Sequence, residues 1–296
     1  MKLAAIDIGS NASRLLIKKV DTELRQTYNS NVRPKLDYMA RIPVQLGMDV
    51  YANGSISQER TEALAQAMKQ FRLIIIASKV KHWRACATAS LRDASNSQEV
   101  IDKVEAVSGI HVDIISGDEE ARLVRDCYFA KTPSAPSKIL FTDVGGGSTD
   151  VCLAIDGEVT YTRSFPVGSM RLICGTMEPD ALHVLSDELS RLCDLHGPLH
   201  VVGSGGGIHK IGELFPNVNC PTHITCETIN HACDELNQLS LEEKMTRYHL
   251  KRDRAEIIAE AALIFRTIAT ATRIPYIETA AIGVRDGIIV NLMKQF

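Results

Sequence analysis

The chain has 296 residues and 45% hydrophobic content, which suits one large or two ordinary domains with substantial cores. A net charge of −3 and a pI near 6.3 argue against general binding to nucleic acid or to a membrane surface, but leave room for a local basic pocket that takes an anion. No apolar run reaches about eighteen residues, so no transmembrane helix is expected. The nine histidines include no H-E-x-x-H zinc pattern. Eight cysteines, none in a C-x-x-C pair, read as reduced thiols of a cytoplasmic protein.

Met1-Lys2-Leu3 leads straight into the first strand, and no signal peptide is expected. Residues 2–8 and 13–20 form a hairpin around Asp7, and a third strand is expected within Glu23 to Tyr38. Arg41 to Ala52 reads as an irregular loop, with Pro43, Gly47 and Asn53-Gly54 as breakers. Ser57 caps a long helix to about Ser78, with Ala63, Leu64, Ala67, Met68, Phe71 and Leu73 as its apolar face. Trp83 to Ala87 is a strand, Ser97 to Val107 a helix and Val112 to Ile115 a strand, the alternation of an α/β domain. Arg92 follows a strand end beside small hydroxyl residues. It reads either as a surface arginine in a salt bridge or as a planar fork for phosphate oxygens. Ser116-Gly117 then turns the chain into a helix that continues to about Ala130. Asp118 and Glu119 fit its N-terminal dipole, and Glu120 is ambiguous on charge pattern alone.

Thr132 to Pro136 is a linker. The stretch from Ile139 to Asp150 follows: a buried strand, Asp143, the turn Gly145-Gly146-Gly147, then Ser148, Thr149 and a second strand from Val151 to Ile155. Glycines let a backbone turn sharply and approach a ligand, and successive N–H groups in such a turn form an anion nest. A plain Gly-rich hairpin is the alternative reading. The pattern occurs twice, because setting Asp7 on Asp143 matches Gly9, Ser10 and Asn11 to the three glycines. Two similar subdomains facing each other are expected, gripping a phosphate chain and its metal between them. Further on come a strand from Val159 to Phe165, a helix from Pro179 to His196, and a strand from Leu199 running into Gly203-Ser204-Gly205-Gly206-Gly207. These glycines, with the helix N-terminus behind them, suit a phosphate or a tight strand–helix turn. Helices at Glu227–Leu239, Leu241–Tyr248 and about Asp253–Thr272 precede a strand at Tyr276–Ile282. Gly283 to Gly287 reads as a turn, and a short helix with Ile288, Ile289, Leu292 and Met293 as its apolar face ends the chain.

The ordered set Asp7-Ile8-Gly9-Ser10-Asn11, Ala87 to Asp93, Ser116 to Leu123, Asp143 to Asp150, Pro166 to Leu172 and Gly203 to Gly206 resembles the exopolyphosphatase and guanosine pentaphosphate phosphohydrolase family, from residue 3 to about 290. That family belongs to the superfamily of actin, sugar kinases and heat-shock chaperone ATPases. The resemblance implies an α/β protein of two actin-like (ribonuclease H-like) domains about a central cleft, in the short two-domain form. Residues 1–130 are expected as domain I and 131–296 as domain II, with the C-terminal helix packing back on domain I. It further implies hydrolysis of a terminal phosphate from inorganic polyphosphate or guanosine pentaphosphate, a homodimer, and Mg²⁺ or another divalent cation as cofactor.

By the same resemblance, Glu120 is the general base and Asp143 a metal acid, joined by Asp7 or Asp150. Ser10, Asn11, Arg92, Gly145, Gly146, Gly147, Ser148, Thr149, Gly205 and Gly206 fall at phosphate-binding positions. Asp150 is a departure, since the family loop ends in Glu, and Asp sets the carboxyl back by about 1.5 Å, roughly one C–C bond. This residue motivates an alternative, a non-catalytic sensor of polyphosphate or the alarmone. A small-molecule kinase of the same fold is the other alternative.

Overall fold

The computed structural model describes residues 1–20, 34–132, 134–280 and 282–295. The chain divides into two compact units, Met1–Pro133 with Ile282–Phe296, and Ser134–Ala281.

Unit 1 runs β1 (Lys2–Ile8), β2 (Ser13–Lys19), β3 (Lys35–Ile42), α1 (Leu46–Asn53), α2 (Gln58–Ala77), β4 (His82–Ala87), α3 (Ala89–Asp93), α4 (Ser97–Ser108), β5 (Asp113–Ile114) and α5 (Gly117–Lys131). Its sheet has the order β3-β2-β1-β4-β5. β1, β2 and β3 form an antiparallel meander, and β4 and β5 join in parallel. β1 is buried from Leu3 to Ile8 because it is central and covered on both faces, so it reads as an unbroken apolar run. β3 is an edge strand and is exposed from Lys35 to Met39.

Unit 2 runs β6 (Lys138–Val144), β7 (Thr149–Ile155), β8 (Glu158–Phe165), α6 (Ser169–Cys174), α7 (Ala181–His196), β9 (His200–Ser204), α8 (Gly206–Leu214), β10 (His223–Thr225), α9 (Cys226–Gln238), α10 (Leu241–Tyr248), α11 (Arg252–Ala255), α12 (Ile258–Thr272) and β11 (Tyr276–Thr279). Its sheet order is β8-β7-β6-β9-β11, with β10 added beside β11. Again a meander of three strands is followed by two parallel additions. The same 3-2-1-4-5 order in both sheets is the actin-like, ribonuclease H-like arrangement. The apolar helix α12 supplies Ile258, Ile264, Phe265 and Ile268 to the core of this unit.

The last helix, α13 (Val284–Lys294), belongs to unit 1 and packs on α5 and β1. Gly287 makes this possible, since a Cβ there would stand 2.2 Å from the carbonyl oxygen of Leu123. Lys18 Nζ bonds Asp286 at 2.6 Å, and Lys294 Nζ bonds Asp126 at 2.9 Å.

Several sequence expectations need correction. Residues 41–52 are not a loop: β3 reaches Ile42, and α1 follows with Leu46, Val50 and Tyr51 buried. Left-handed residues at both ends, Gln45 (φ 54°) and Gly54 (φ 74°), start and stop this helix without a side-chain cap. The third strand lies at Lys35–Ile42, and the part of its expected span from 23 to 33 is outside the described residues. On α2, Ala63 and Leu73 face solvent, and the buried stripe is Leu64, Ala67, Met68, Phe71 and Ile75. The expected helix at 253–272 is broken between Ala255 and Ile258. Val284 to Gly287 are the first turn of α13, with extended Gly283 at its N-cap. All eight cysteines are free thiols. Among the described residues no helix is long and apolar enough to cross a membrane.

Candidate active site

In unit 1 the hairpin register pairs Asp7 with Arg14 and Ile8 with Ser13. Gly9 N–H closes the turn on Ala12 O at 3.2 Å. Asp7 is 8% exposed, and Arg14 Nη1 donates to its Oδ2 at 3.0 Å. Its carboxylate therefore faces a cation from its own sheet. On the other side Asp7 pairs with Cys86, whose thiol burial pushes up to about 12, so the thiol stays protonated. The turn is held from outside by the start of α1. Gly47 N–H donates to Ser10 O at 2.9 Å and Gln45 N–H to Asn11 O at 3.0 Å. The Ser10 hydroxyl shares a buried 3.0 Å bond with Tyr51 OH.

Arg92 and Glu120 are neighbours in the same unit. Thr88 N–H bonds Ile8 O at 3.1 Å, which seats α3 beside the hairpin, and Ile115 N–H bonds Ala87 O at 3.0 Å just before α5. Arg92 Nη1 donates to Ile115 O at 2.9 Å and lies 3.9 Å from Glu120 Oε2. Ser116 Oγ caps α5 by accepting from Glu119 N–H at 3.1 Å. The three acids of the first turn then separate. Asp118 is exposed, Glu119 is bonded by Arg84 at 2.9 Å, and Glu120 is buried. Burial and a flanking arginine set Glu120 apart from ordinary helix-end acids, a difference invisible in the charge pattern.

In unit 2 the hairpin repeats the register: Asp143 pairs with Asp150, and Val144 with Thr149. Gly145 N–H closes this turn on Ser148 O at 2.9 Å. The start of α6 again holds the turn. Ser169 N–H donates to Gly145 O at 3.2 Å, Met170 N–H to Gly146 O at 2.8 Å, and Arg171 Nε to Gly147 O at 2.8 Å. All four turn carbonyls are thus engaged by protein N–H groups. Oxygens that would repel an anion are thus taken up by the protein's own N–H groups. Gly168 permits this contact, since a Cβ there would lie 2.3 Å from Gly146 O. Two of the predicted hydroxyls are used inside the fold. Thr149 Oγ1 donates to Val167 O at 2.7 Å, and Ser148 Oγ to Asp150 Oδ2 at 3.2 Å.

Asp143 and Asp150 stand directly opposite on one face of the paired strands, where like charges repel. Gly205, with φ 98°, packs against this pair; a Cβ on it would lie 2.3 Å from Val144 O and 3.1 Å from Asp143 Oδ1. Its neighbour Gly206 has the Arg254 guanidinium against it, 2.7 Å from where a Cβ would stand. Among the described residues no cluster of three or more His, Cys, Asp or Glu is arranged to hold a metal. A hard cation such as Mg²⁺ needs fewer protein ligands, because it keeps water and takes phosphate oxygens beside one or two carboxylates. The opposed pair of carboxylates fits that habit.

The structure therefore brings Arg92 to Glu120, and Gly205 and Asp150 to Asp143. It joins Asp7 to Arg14, and leaves Ser10 and Asn11 tied to α1. Sequence reasoning missed Arg14, Gln45, Gly47, Tyr51 and Arg254. The repeat could have revealed Arg14, since Asp7 to Arg14 and Asp143 to Asp150 are the same spacing. No sequence signal joins Arg254 to Gly206, almost fifty residues away.

The chain is 23% identical over 310 residues to Exopolyphosphatase 1 of Mycobacterium tuberculosis, covering 98% of this chain and 88% of that protein. Its fold matches an exopolyphosphatase from Cytophaga hutchinsonii with a TM-score of 0.85 at 21% identity, over 100% of this chain and 98% of that one. It also matches an Aquifex aeolicus Ppx/GppA family member with a TM-score of 0.76 at 22% identity, over 100% and 98%. Residues 36–296 match the model of the Ppx/GppA phosphatase family. With that match over most of its length, the chain belongs to the Ppx/GppA phosphatase family.

Proposed function

We propose that this chain is a metal-dependent phosphohydrolase that releases terminal orthophosphate from inorganic polyphosphate or guanosine pentaphosphate. The observation that carries the reading is the doubled hairpin whose turn carbonyls are drawn back by a following helix start. In unit 2 it stands beside two opposed acids. The exopolyphosphatase names of the M. tuberculosis and C. hutchinsonii relatives support polyphosphate as the substrate class.

Phosphoryl transfer asks a protein mainly for positioning and charge stabilisation. The N–H groups of Gly146, Gly147 and Ser148 bind phosphate oxygens as charge develops on them. Arg171 keeps that turn in shape, and Arg254 adds positive charge at the third glycine turn. Glu120 takes a proton from the attacking water, and Arg92 orients its carboxylate. Asp143 and Asp150 would hold a divalent cation, which when bound neutralises charge on phosphate oxygens. The water oxygen bonds to phosphorus, the anhydride P–O bond breaks, and the shortened chain leaves with the bonding electrons.

The test is phosphate release by the purified protein from long polyphosphate, short polyphosphate and guanosine pentaphosphate, with Mg²⁺ or with EDTA. Glu120→Gln serves as control. General-base removal is expected to lower kcat by about 10²–10⁴-fold with substrate binding retained. Unchanged turnover in Glu120→Gln sinks its role as base. One residue favours a second reading, a non-catalytic sensor: Asp150 in place of the longer Glu. Binding of all three substrates without release by the wild type selects that reading.

A further inference from the structure

We propose that Tyr51 is a positioning residue that donates its phenolic proton to Ser10 Oγ, so that Ser10 spends its own proton on a phosphate oxygen of the phosphoanhydride chain. The proposal rests on the phosphohydrolase reading and assigns a specific ligand contact within it. The two oxygens are 3.0 Å apart, and the geometry alone allows either to donate. The chemistry of the ligand breaks the tie. Phosphate oxygens at neutral pH are acceptors, and a serine has one proton. Ser10 bonds a phosphate only if it accepts from Tyr51.

Ser10 is 4% exposed and Tyr51 5%, so little water competes for the shared bond. The same helix, α1, grips Ser10 twice. Gly47 N–H holds its carbonyl at 2.9 Å and Tyr51 holds its hydroxyl. Gly47 and Tyr51 are four residues apart, on one face of that helix. In unit 2 the turn residue in the same place is Gly146, which offers only its amide. The hydroxyl pair is one difference between the first turn and the second, beside Asn11 in place of Gly147.

The experiment compares wild type, Tyr51→Phe, Ser10→Ala, the double variant and Ser10→Thr. It reads KM and kcat for phosphate release from long polyphosphate, Kd for inorganic tripolyphosphate by calorimetry, and the thermal midpoint. Loss of a hydrogen bond to a charged group is expected to raise KM and Kd about tenfold or more in Ser10→Ala. Tyr51→Phe keeps the ring and is expected to raise them about three- to tenfold. The double variant is expected to match Ser10→Ala, because the relay is already cut. Ser10→Thr retains the hydroxyl and is expected to bind as the wild type does. Unchanged KM and Kd in Tyr51→Phe overturn the proposal. So do independent effects in the double variant, or a kcat and midpoint that fall together as for a merely structural bond. If the wild type binds tripolyphosphate but releases no phosphate, the hydrolase reading fails and the Kd series still decides the relay. Absence of tripolyphosphate binding by the wild type overturns it outright.

Discussion

Replacing Gly168 by alanine tests the claim that the glycine turn of unit 2 works because α6 lies against its back. The φ of Gly168 is −149°, extended backbone that alanine adopts readily, so the cost is steric alone. The new Cβ would lie 2.3 Å from Gly146 O and 2.5 Å from Gly147 N, both backbone atoms that cannot swing aside. Ordinary contact begins at 3.4 Å, and 3.4 Å less 2.3 Å leaves about 1.1 Å for the turn or α6 to make up. Overpacking of this kind costs about 1–3 kcal/mol of stability. A displacement of about 1 Å at the proposed phosphate turn is expected to lower the rate on the order of 10²-fold. Initial rates of phosphate release and thermal midpoints measure both effects. Gly283→Ala is the control, because nothing lies within 4 Å of a Cβ there. A Gly168→Ala protein with wild-type rate and midpoint would refute the reasoning.

Two further outcomes follow from the unit 2 carboxylates and core. Asp150→Glu moves the carboxyl out by about 1.5 Å and is expected to raise kcat with Mg²⁺ present; an unchanged or lower rate removes the shorter carboxylate at 150 as an argument for the sensor reading. Glu260 on α12 has its pKa raised by burial, opposed by a backbone N–H and by Lys244, and its Oε2 has no hydrogen-bond partner among the described residues. A raised carboxyl pKa favours the protonated folded state. That relative stabilisation is complete below the unfolded value near about 4.3 and is lost as pH rises through the folded value. Thermal midpoints of wild type and Glu260→Gln are therefore expected to diverge upward of pH 5, with the variant the more stable; parallel curves from pH 4 to 8 contradict this.

The two hairpins were legible because each combines an apolar strand, an acid and a turn that needs small residues. The repeat between them already carried the pairing of Asp7 with Arg14. What hid α1 was its start and stop. It opens on left-handed Gln45 and closes on Gly54, so a reader of breakers sees Pro43, Gly47 and Asn53-Gly54 and infers a loop. Eight residues are also too few for a helical period to stand out. Leu73 misled for the opposite reason: it is apolar but lies off the stripe through Met68, Phe71 and Ile75. The distinction of Glu120 from Asp118 and Glu119 came only from burial, which three consecutive acids do not encode. Arg254 meets Gly206 through tertiary packing alone.

The return of α13 to unit 1 also sets an order of assembly. Unit 2 is one continuous stretch, Ser134–Ala281, and contains all of its own core when it leaves the ribosome. Unit 1 is not complete at that moment, although most of it was synthesised earlier. Leu123 on α5 and the strand β1 await a helix made after the whole of unit 2. Until then the Lys18 ammonium lacks the Asp286 carboxylate that it meets in the finished protein. Closing so long an intervening segment as a flexible loop carries an entropic cost that grows with the logarithm of its length. The first unit in sequence is thus finished only after the second has been synthesised. Removing residues 284–296 is then a folding lesion for nascent chains, and it exposes apolar surface that chaperones recognise.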